Sequence, residues 1–155
     1  MSRLVRQSTA VQEEEDHQQS TLAVPNPLKL VAVSLLIACG LIHLVGGPEH
    51  YEEASYIGLL FYANCGVALV AAVGVYQNRL WAGWALGIVV AGGALAMFLV
   101  SRLIGLPGYE EHVGMWLGDS PAEYLGIPSL VIEACFVAVA AVAMPRFRQS
   151  RASSS

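Results

Sequence analysis

The sequence predicts an all-α integral membrane protein, a four-helix bundle, and three observations support this fold class. Hydrophobic residues make up 55% of the chain, charged residues 13%, and the mean hydropathy is +0.56, all far from the averages of a soluble domain. Four apolar runs reach the roughly 20 residues that a helix needs to cross a bilayer. Alternating strand patterns are absent from the sequence. The runs should therefore be helical, because a helix satisfies the hydrogen-bonding groups of a backbone that faces lipid.

Residues 1–27 precede the first apolar run and are predicted to form a disordered cytoplasmic tail. They are polar, with consecutive acids in "QEEEDHQQS", and contain nothing that could bury a core. A secretory signal peptide would place a basic segment directly before a short apolar stretch that ends at a small-residue cleavage site. That arrangement is absent, so the first run is expected to stay in the membrane.

The transmembrane domain is predicted over residues 28–144, with spans at 28–47, 56–76, 80–105 and 125–144. The "AGGALAM" stretch of the third span supplies small residues that let another helix come close. In the loop before the fourth span, Ser120 and Glu123 resemble a capping box. A polar cytoplasmic tail is expected over 145–155.

The distribution of basic residues predicts the orientation in the membrane. Apart from Arg102, the basic residues fall on one side of a four-helix layout: Arg3, Arg6, Lys29, Arg79, Arg146, Arg148 and Arg151. The positive-inside rule makes that side cytoplasmic. Both termini should therefore lie on the cytoplasmic side of the cell membrane, and both acidic loops on the outer side. No basic stripe suited to nucleic acid is visible.

An internal repeat is predicted from two similar stretches. "HLVGGPEHYEE" from His43 aligns with "RLIGLPGYEE" from Arg102 if one residue is skipped, and further along Asn64 aligns with Glu133. The alignment predicts two helical hairpins that are related as parallel repeats.

Three polar residues inside the predicted spans, Arg102, Glu133 and Asn64, form a candidate intramembrane group. An ionised carboxylate there is costly unless it is paired, protonated or wetted. Glu133 therefore has three open interpretations: an ion pair with Arg102 that fixes helix docking, a proton carrier or cation ligand with His43 as its partner, or a protonated carboxyl that hydrogen-bonds Asn64.

Histidines and carboxylates near the outer ends of the spans form a candidate metal site. The proposed ligands are His43, His50, Glu49, Glu53 and His112. Imidazole and carboxylate together suit a divalent transition metal such as zinc, iron, manganese or copper(II). The spacing matches no HExxH, CxxC or EF-hand motif, so the hypothesis depends on composition. The alternative is that His43 reaches only a lipid headgroup or a backbone carbonyl.

The cysteines have two interpretations. Cys39 lies one turn before His43 on the same helix face, and Cys65 and Cys135 are expected at a similar depth. Three thiols in one layer could hold a soft metal such as copper(I), but cysteine is also among the most commonly buried side chains. We therefore expect core packing for these residues.

Redox cofactors and catalysis find little support in the sequence. Haem is disfavoured because His43 is the one histidine inside a predicted span. No phosphate-binding loop, nucleophile elbow or paired catalytic carboxylate motif is present, so no catalytic residue is assigned.

The stretch "HLVGGPEHYEEASYIGLLF", residues 43–61, resembles the first hairpin of small, uncharacterised four-span bacterial membrane proteins. In those proteins a span that ends in His-Leu is followed by Pro-Glu-His-aromatic-Glu-Glu. The size and span count are also similar to those of DoxX-like proteins. The resemblance implies four membrane helices and no particular activity.

Two functional hypotheses follow from the sequence. The first is a multi-pass membrane protein that binds a divalent metal or a proton-coupled solute at the outer-facing His/Glu cluster. The second is a non-catalytic accessory or assembly subunit whose helices pack in a larger membrane complex, or in a homo-oligomer.

Overall fold

The computed structural model describes residues 26–108 and 124–152, which form four α-helices. They are α1 (Asn26–Glu53), α2 (Ser55–Tyr76), α3 (Leu86–Leu103) and α4 (Gly126–Ala152), and a π-helical turn over Leu80–Ala85 leads directly into α3. Four helical segments are long and apolar enough to cross a membrane: Pro27–Glu53, Ser55–Tyr76, Ala82–Leu103 and Gly126–Pro145. The all-α, four-helix membrane fold predicted from the sequence is therefore confirmed.

Helix α1 runs further than the sequence predicts. The first span was expected to end at residue 47, but α1 continues through Pro48 to Glu53, and Ala54 alone separates it from α2. At this connection the backbone of Tyr51 lies so close to Gly58 that a Cβ at Gly58 would overlap it. The predicted loop is thus mostly helix, and α1 and α2 form a tight antiparallel hairpin.

Other segment ends also differ from the sequence prediction. Helix α4 continues through Pro145 to Ala152, so the tail expected from residue 145 begins as helix. The third span was expected to be an α-helix from residue 80, and its first turn is instead π-helical. Three stretches lie outside the described residues: residues 1–25 of the tail predicted over 1–27, the loop residues 109–123 with the candidate capping box, and residues 153–155 of the C-terminal tail.

The turn between α2 and the π-helical segment requires special backbone geometry. Asn78 has a positive φ of 57°, a left-handed conformation that asparagine tolerates better than most residues. Just before it, Gly74 packs against the backbone of Ala82 and Gly83, so closely that a Cβ on either glycine would overlap main-chain atoms. The absence of these side chains lets α2 and the π-helical turn meet backbone to backbone.

One half of the bundle is filled by a hydrophobic core, and the other half contains a cavity. We call the end with the α1–α2 connection the Glu53 end and the end with the α2–α3 turn the Arg79 end. The half nearer the Arg79 end holds the buried core, which consists of Ala32, Leu36, Ala71, Ala72, Val75, Trp84, Ala91, Phe136, Ala140 and Ala143. The half nearer the Glu53 end contains a cavity, and the buried polar side chains line it: His43, His50, Ser101, Arg102, Ser129 and Glu133.

Candidate functional site

One stripe of buried positions on α1 carries both core and polar residues. Buried residues recur at positions 32, 36, 39, 43, 46 and 50, the spacing of three and four that marks one face of a helix. Ala32 and Leu36 belong to the core, and Cys39, His43 and His50 continue the same stripe towards the Glu53 end. The helix therefore directs a thiol and two imidazoles into the bundle.

Hydrogen bonds fix the orientation of the His43 ring. Its Nδ1 lies 2.9 Å from the carbonyl oxygen of Cys39, and because a carbonyl can only accept, Nδ1–H is the donor. In the neutral ring Nε2 then carries a lone pair and accepts from Asn64 Nδ2 at 3.1 Å. The Phe61 ring packs against the imidazole, with the centroids 4.9 Å apart. The lone pair of His43 is therefore turned towards the bundle interior.

Glu133 of α4 meets this imidazole from the opposite side of the bundle. Its side chain is 2% exposed, and its Oε1 accepts a hydrogen bond from Ser129 Oγ at 2.7 Å. The same oxygen lies 3.7 Å from His43 Nε2 and 4.0 Å from Cys39 Sγ. One carboxylate oxygen thus faces an imidazole nitrogen and a thiol.

Cys39, His43 and Glu133 form a group of potential metal ligands. One ligand atom from each residue lies within 4.8 Å of the other two, and all three residues are buried. In a tetrahedral zinc site, bonds of about 2.0–2.3 Å separate neighbouring ligand atoms by roughly 3.3–3.5 Å. The observed separations of 3.7 and 4.0 Å from Glu133 Oε1 would need to shorten by only a few tenths of an ångström.

A cavity of about 380 Å³ adjoins this group. All four helices contribute to its lining, which is mainly apolar and includes Phe61 and Phe98. His43, Asn64 and Glu133 also line it, so two of the three candidate ligands border open space. A small molecule or a further ligand in the cavity would therefore meet the polar group directly.

Arg102 lines the same cavity from α3. Its side chain is buried, and its guanidinium carbon lies 5.2 Å from the centroid of the Phe98 ring, which is a cation–π contact. Glu133 Oε1 lies within ion-pair distance of His43 Nε2. The predicted ion pair between Arg102 and Glu133 stays a prediction, and the two residues share a cavity.

The other described residues proposed as ligands from the sequence, His50, Glu49 and Glu53, are not members of this group. His50 is buried about two turns beyond His43. Its Nδ1–H donates to Gly46 O at 2.9 Å, and its ring stacks on Phe61 with the centroids 4.3 Å apart. Within residues 26–108 and 124–152, the group with metal-ligand geometry contains neither His50 nor Glu49 nor Glu53. His112 lies outside the described residues.

Cys39 is the member of the group that sequence reasoning assigned to core packing. Its position four residues before His43, on the same face, was visible in the sequence. The approach of α4, which brings Glu133 to the thiol, depends on tertiary packing and was not. The thiol, the imidazole and the carboxylate therefore lie together only because of how the two helices pack.

Comparisons with protein-family models, with curated proteins and with solved structures find no match to this chain. The geometry of the chain itself is therefore the basis on which a function can be assigned.

Proposed function

We propose that this chain is a multi-pass membrane protein that binds one divalent transition metal ion inside the bundle, through Cys39 Sγ, His43 Nε2 and Glu133. The observation that carries the proposal is that one ligand atom from each of these three residues lies within 4.8 Å of the other two, at the edge of a cavity. The ligands come from α1 and α4, so the ion would join the first hairpin to the last helix.

The hydrogen bond of the His43 ring supports this role. Metal-bound histidines almost always donate their other ring N–H to a carboxylate, a backbone carbonyl or water, which fixes the tautomer and the ring orientation. His43 makes this bond to the Cys39 carbonyl and keeps Nε2 on the side of Glu133. On metal binding Nε2 would exchange its hydrogen bond from Asn64 for the metal, and rotation of the Asn64 amide would turn its oxygen towards the ion.

The ligand types favour zinc and similar divalent ions. Thiolate, imidazole and carboxylate are the three ligands that zinc uses in proteins, and three protein ligands with a fourth open position are typical of exchangeable or catalytic sites. The carboxylate argues against a purely soft ion such as copper(I). The cavity beside the group leaves room for a fourth ligand from outside the chain.

The charge balance is also favourable. One thiolate and one carboxylate neutralise a divalent cation, and charge left uncompensated within a bilayer is costly. Without metal, the thiol of Cys39 lies 4.0 Å from Glu133 Oε1, and it would have to lose its proton to bind the ion as a thiolate. Binding should therefore release protons from the ligands.

The experiment is a zinc titration of the purified full-length protein in lipid nanodiscs by isothermal calorimetry. We expect one zinc ion per chain, and we expect Cys39→Ser and Glu133→Gln each to weaken binding by about 100-fold or more, because a bonded ligand is lost. The matched controls are Cys65→Ser, a second buried cysteine in a span, and Glu49→Gln, a half-buried acid outside the group.

Both controls should bind zinc as the unsubstituted protein does. The proposal is overturned if the unsubstituted protein binds no zinc, or if Cys39→Ser binds as tightly as Cys65→Ser. The same two cysteine variants compared by thermal unfolding in zinc-free buffer report whether either substitution disturbs the fold.

A further inference from the structure

The cavity opens sideways between α2 and α3. Leu60 of α2 and Met97 of α3 line it and are nevertheless 50% and 41% exposed, so its wall is incomplete on this side. Both residues lie within candidate membrane spans, where the exposed surface of a helix meets lipid. The opening therefore faces the hydrocarbon region of the bilayer.

Contacts at both ends confine this opening to the middle of the helices. Towards the Glu53 end, Tyr56 O–H donates a hydrogen bond of 2.6 Å to the carbonyl oxygen of Pro107 and so joins the start of α2 to the segment after α3. Towards the Arg79 end, Gly74 meets the backbone of Ala82. We call the space between Leu60 and Met97 the α2–α3 window. It lies between two points at which the neighbouring segments are in contact.

The wall that includes Glu133 is polar, in contrast to the window. Behind an apolar entrance lie the imidazole of His43, the amide of Asn64 and the carboxyl of Glu133, with Ser129 beside it. A ligand cavity with apolar walls and a few convergent polar groups is the usual form of a small-molecule site, and about 380 Å³ is within the common size range. The arrangement matches an amphipathic molecule with its polar head against Glu133 and its apolar part in the window.

Entry from the bilayer restricts the charge of this molecule. A charged group in the hydrocarbon region costs several kcal/mol, so a molecule that arrives through the window has a neutral head group. We propose that the cavity binds a neutral, lipid-soluble amphiphile, whose hydroxyl or carbonyl head hydrogen-bonds the polar wall and which enters from the bilayer through the α2–α3 window. This site does not require the metal ion, so its occupancy should be the same in the presence of a chelator.

Photolabelling of the full-length protein in phosphatidylcholine nanodiscs with EDTA tests the proposal. The probe is a long-chain alcohol with a diazirine in the middle of the chain, and the comparison compound is the alkane of equal length with the same diazirine. We expect the alcohol to label α2 and α3 residues of the cavity lining, as identified by peptide mass spectrometry. An excess of unlabelled alcohol should reduce that labelling by about tenfold.

Adjacent glycines of α3 provide a matched pair of variants. Neither Gly92 nor Gly93 has an atom within 4 Å of the place where a Cβ would lie, so a Cβ at either is accommodated. Of the two, Gly93 borders the cavity and Gly92 does not. We expect Gly93→Leu to lower labelling of the cavity by about tenfold and Gly92→Leu to change it by less than about twofold.

A second pair keeps the test decisive if Gly93→Leu fails to fold. Ala94 lines the cavity and Ala96 does not, so Ala94→Leu should block labelling while Ala96→Leu should not. Two results would overturn the proposal: equal labelling in the blocking and control variants, or alkane labelling that equals that of the alcohol and is not displaced by it. The second result would mean that ordinary acyl chains fill the space without recognition of a head group.

Discussion

Cys39 and Cys65 show how much the role of a residue depends on what faces it. Both are buried cysteines inside candidate membrane spans, and from the sequence both were expected to pack in the core. Cys39 Sγ lies 3.8 Å from the Nδ1 atom of His43 and 4.0 Å from Glu133 Oε1, whereas Cys65 is not a member of the ligand group. The difference comes from the position of α4, which a pattern along α1 alone does not contain.

The two histidines of α1 give a prediction at the same scale. His43 and His50 are both buried, both donate Nδ1–H to the carbonyl four residues earlier and both contact Phe61, but Glu133 faces only His43 within 4 Å. We expect His43→Ala to weaken zinc binding by about 100-fold and His50→Ala to change it by less than about threefold. Equilibrium dialysis with radioactive zinc measures both.

The opposite order of the two effects would place the ion at His50 and contradict the group of Cys39, His43 and Glu133. Large effects of both substitutions would favour the ligand set predicted from the sequence, which contains both histidines with Glu49, Glu53 and His112. Equal and small effects would argue that neither imidazole is a ligand. Circular dichroism of both variants shows whether the helices remain intact.

At the scale of elements, glycines in this chain make helix contacts more often than they make turns. Gly46 and Gly47 lie inside α1, where a Cβ would press on the rings of Phe61 and Tyr62 of α2. In the sequence the Gly-Gly-Pro stretch resembles the start of a loop, because glycine and proline both disfavour helix interiors. The packing of two aromatic rings on α1 is tertiary information, and for that reason the end of the first helix could not be predicted.

Gly74 provides the element-scale prediction. Gly74→Ala would push a Cβ into the backbone of Ala82. Neither backbone segment can move away without separating α2 from the π-helical turn. We expect a loss of stability of about 1–3 kcal/mol, the usual cost of overpacking a tight contact. Gly66→Ala on the same helix is the control, because no atom lies within 4 Å of its Cβ position.

Thermal unfolding of the two variants in one detergent measures the difference. Gly66→Ala should be neutral or slightly stabilising, since alanine has the higher helix propensity by about 1 kcal/mol. If Gly74→Ala unfolds at the same temperature as Gly66→Ala, the backbone contact is not required for the fold.

For the molecule as a whole, the sequence predicted the architecture well because hydropathy and helix length are nearly sufficient in a membrane. The four spans were found from apolar runs, and the structure has four helices of matching position. The candidate site was predicted in part: His43, Asn64 and Glu133 were singled out, and they do come together. Their geometry, the thiol and the cavity depend on how four helices pack, and no short motif encodes that.

The predicted orientation is a property of the whole molecule and can be measured directly. Glu52 at one end of the bundle and Arg79 at the other are both exposed. In a variant without native cysteines, Glu52→Cys should react with a membrane-impermeant maleimide on intact cells, whereas Arg79→Cys should react only after permeabilisation. The reverse pattern would place both termini outside. The internal repeat and a role as an accessory subunit stay predictions, the latter to be tested by co-purification after gentle solubilisation.

The central claim is that Cys39, His43 and Glu133 bind a metal ion together, and the absorption spectrum of the cobalt(II)-substituted protein tests it most directly. A tetrahedral site with one thiolate predicts intense visible d–d bands and a sulfur-to-cobalt charge-transfer band in the near ultraviolet. The charge-transfer band should persist in Cys65→Ser and disappear in Cys39→Ser. Weak bands typical of octahedral cobalt in the unsubstituted protein, or a charge-transfer band that survives Cys39→Ser, would contradict the account.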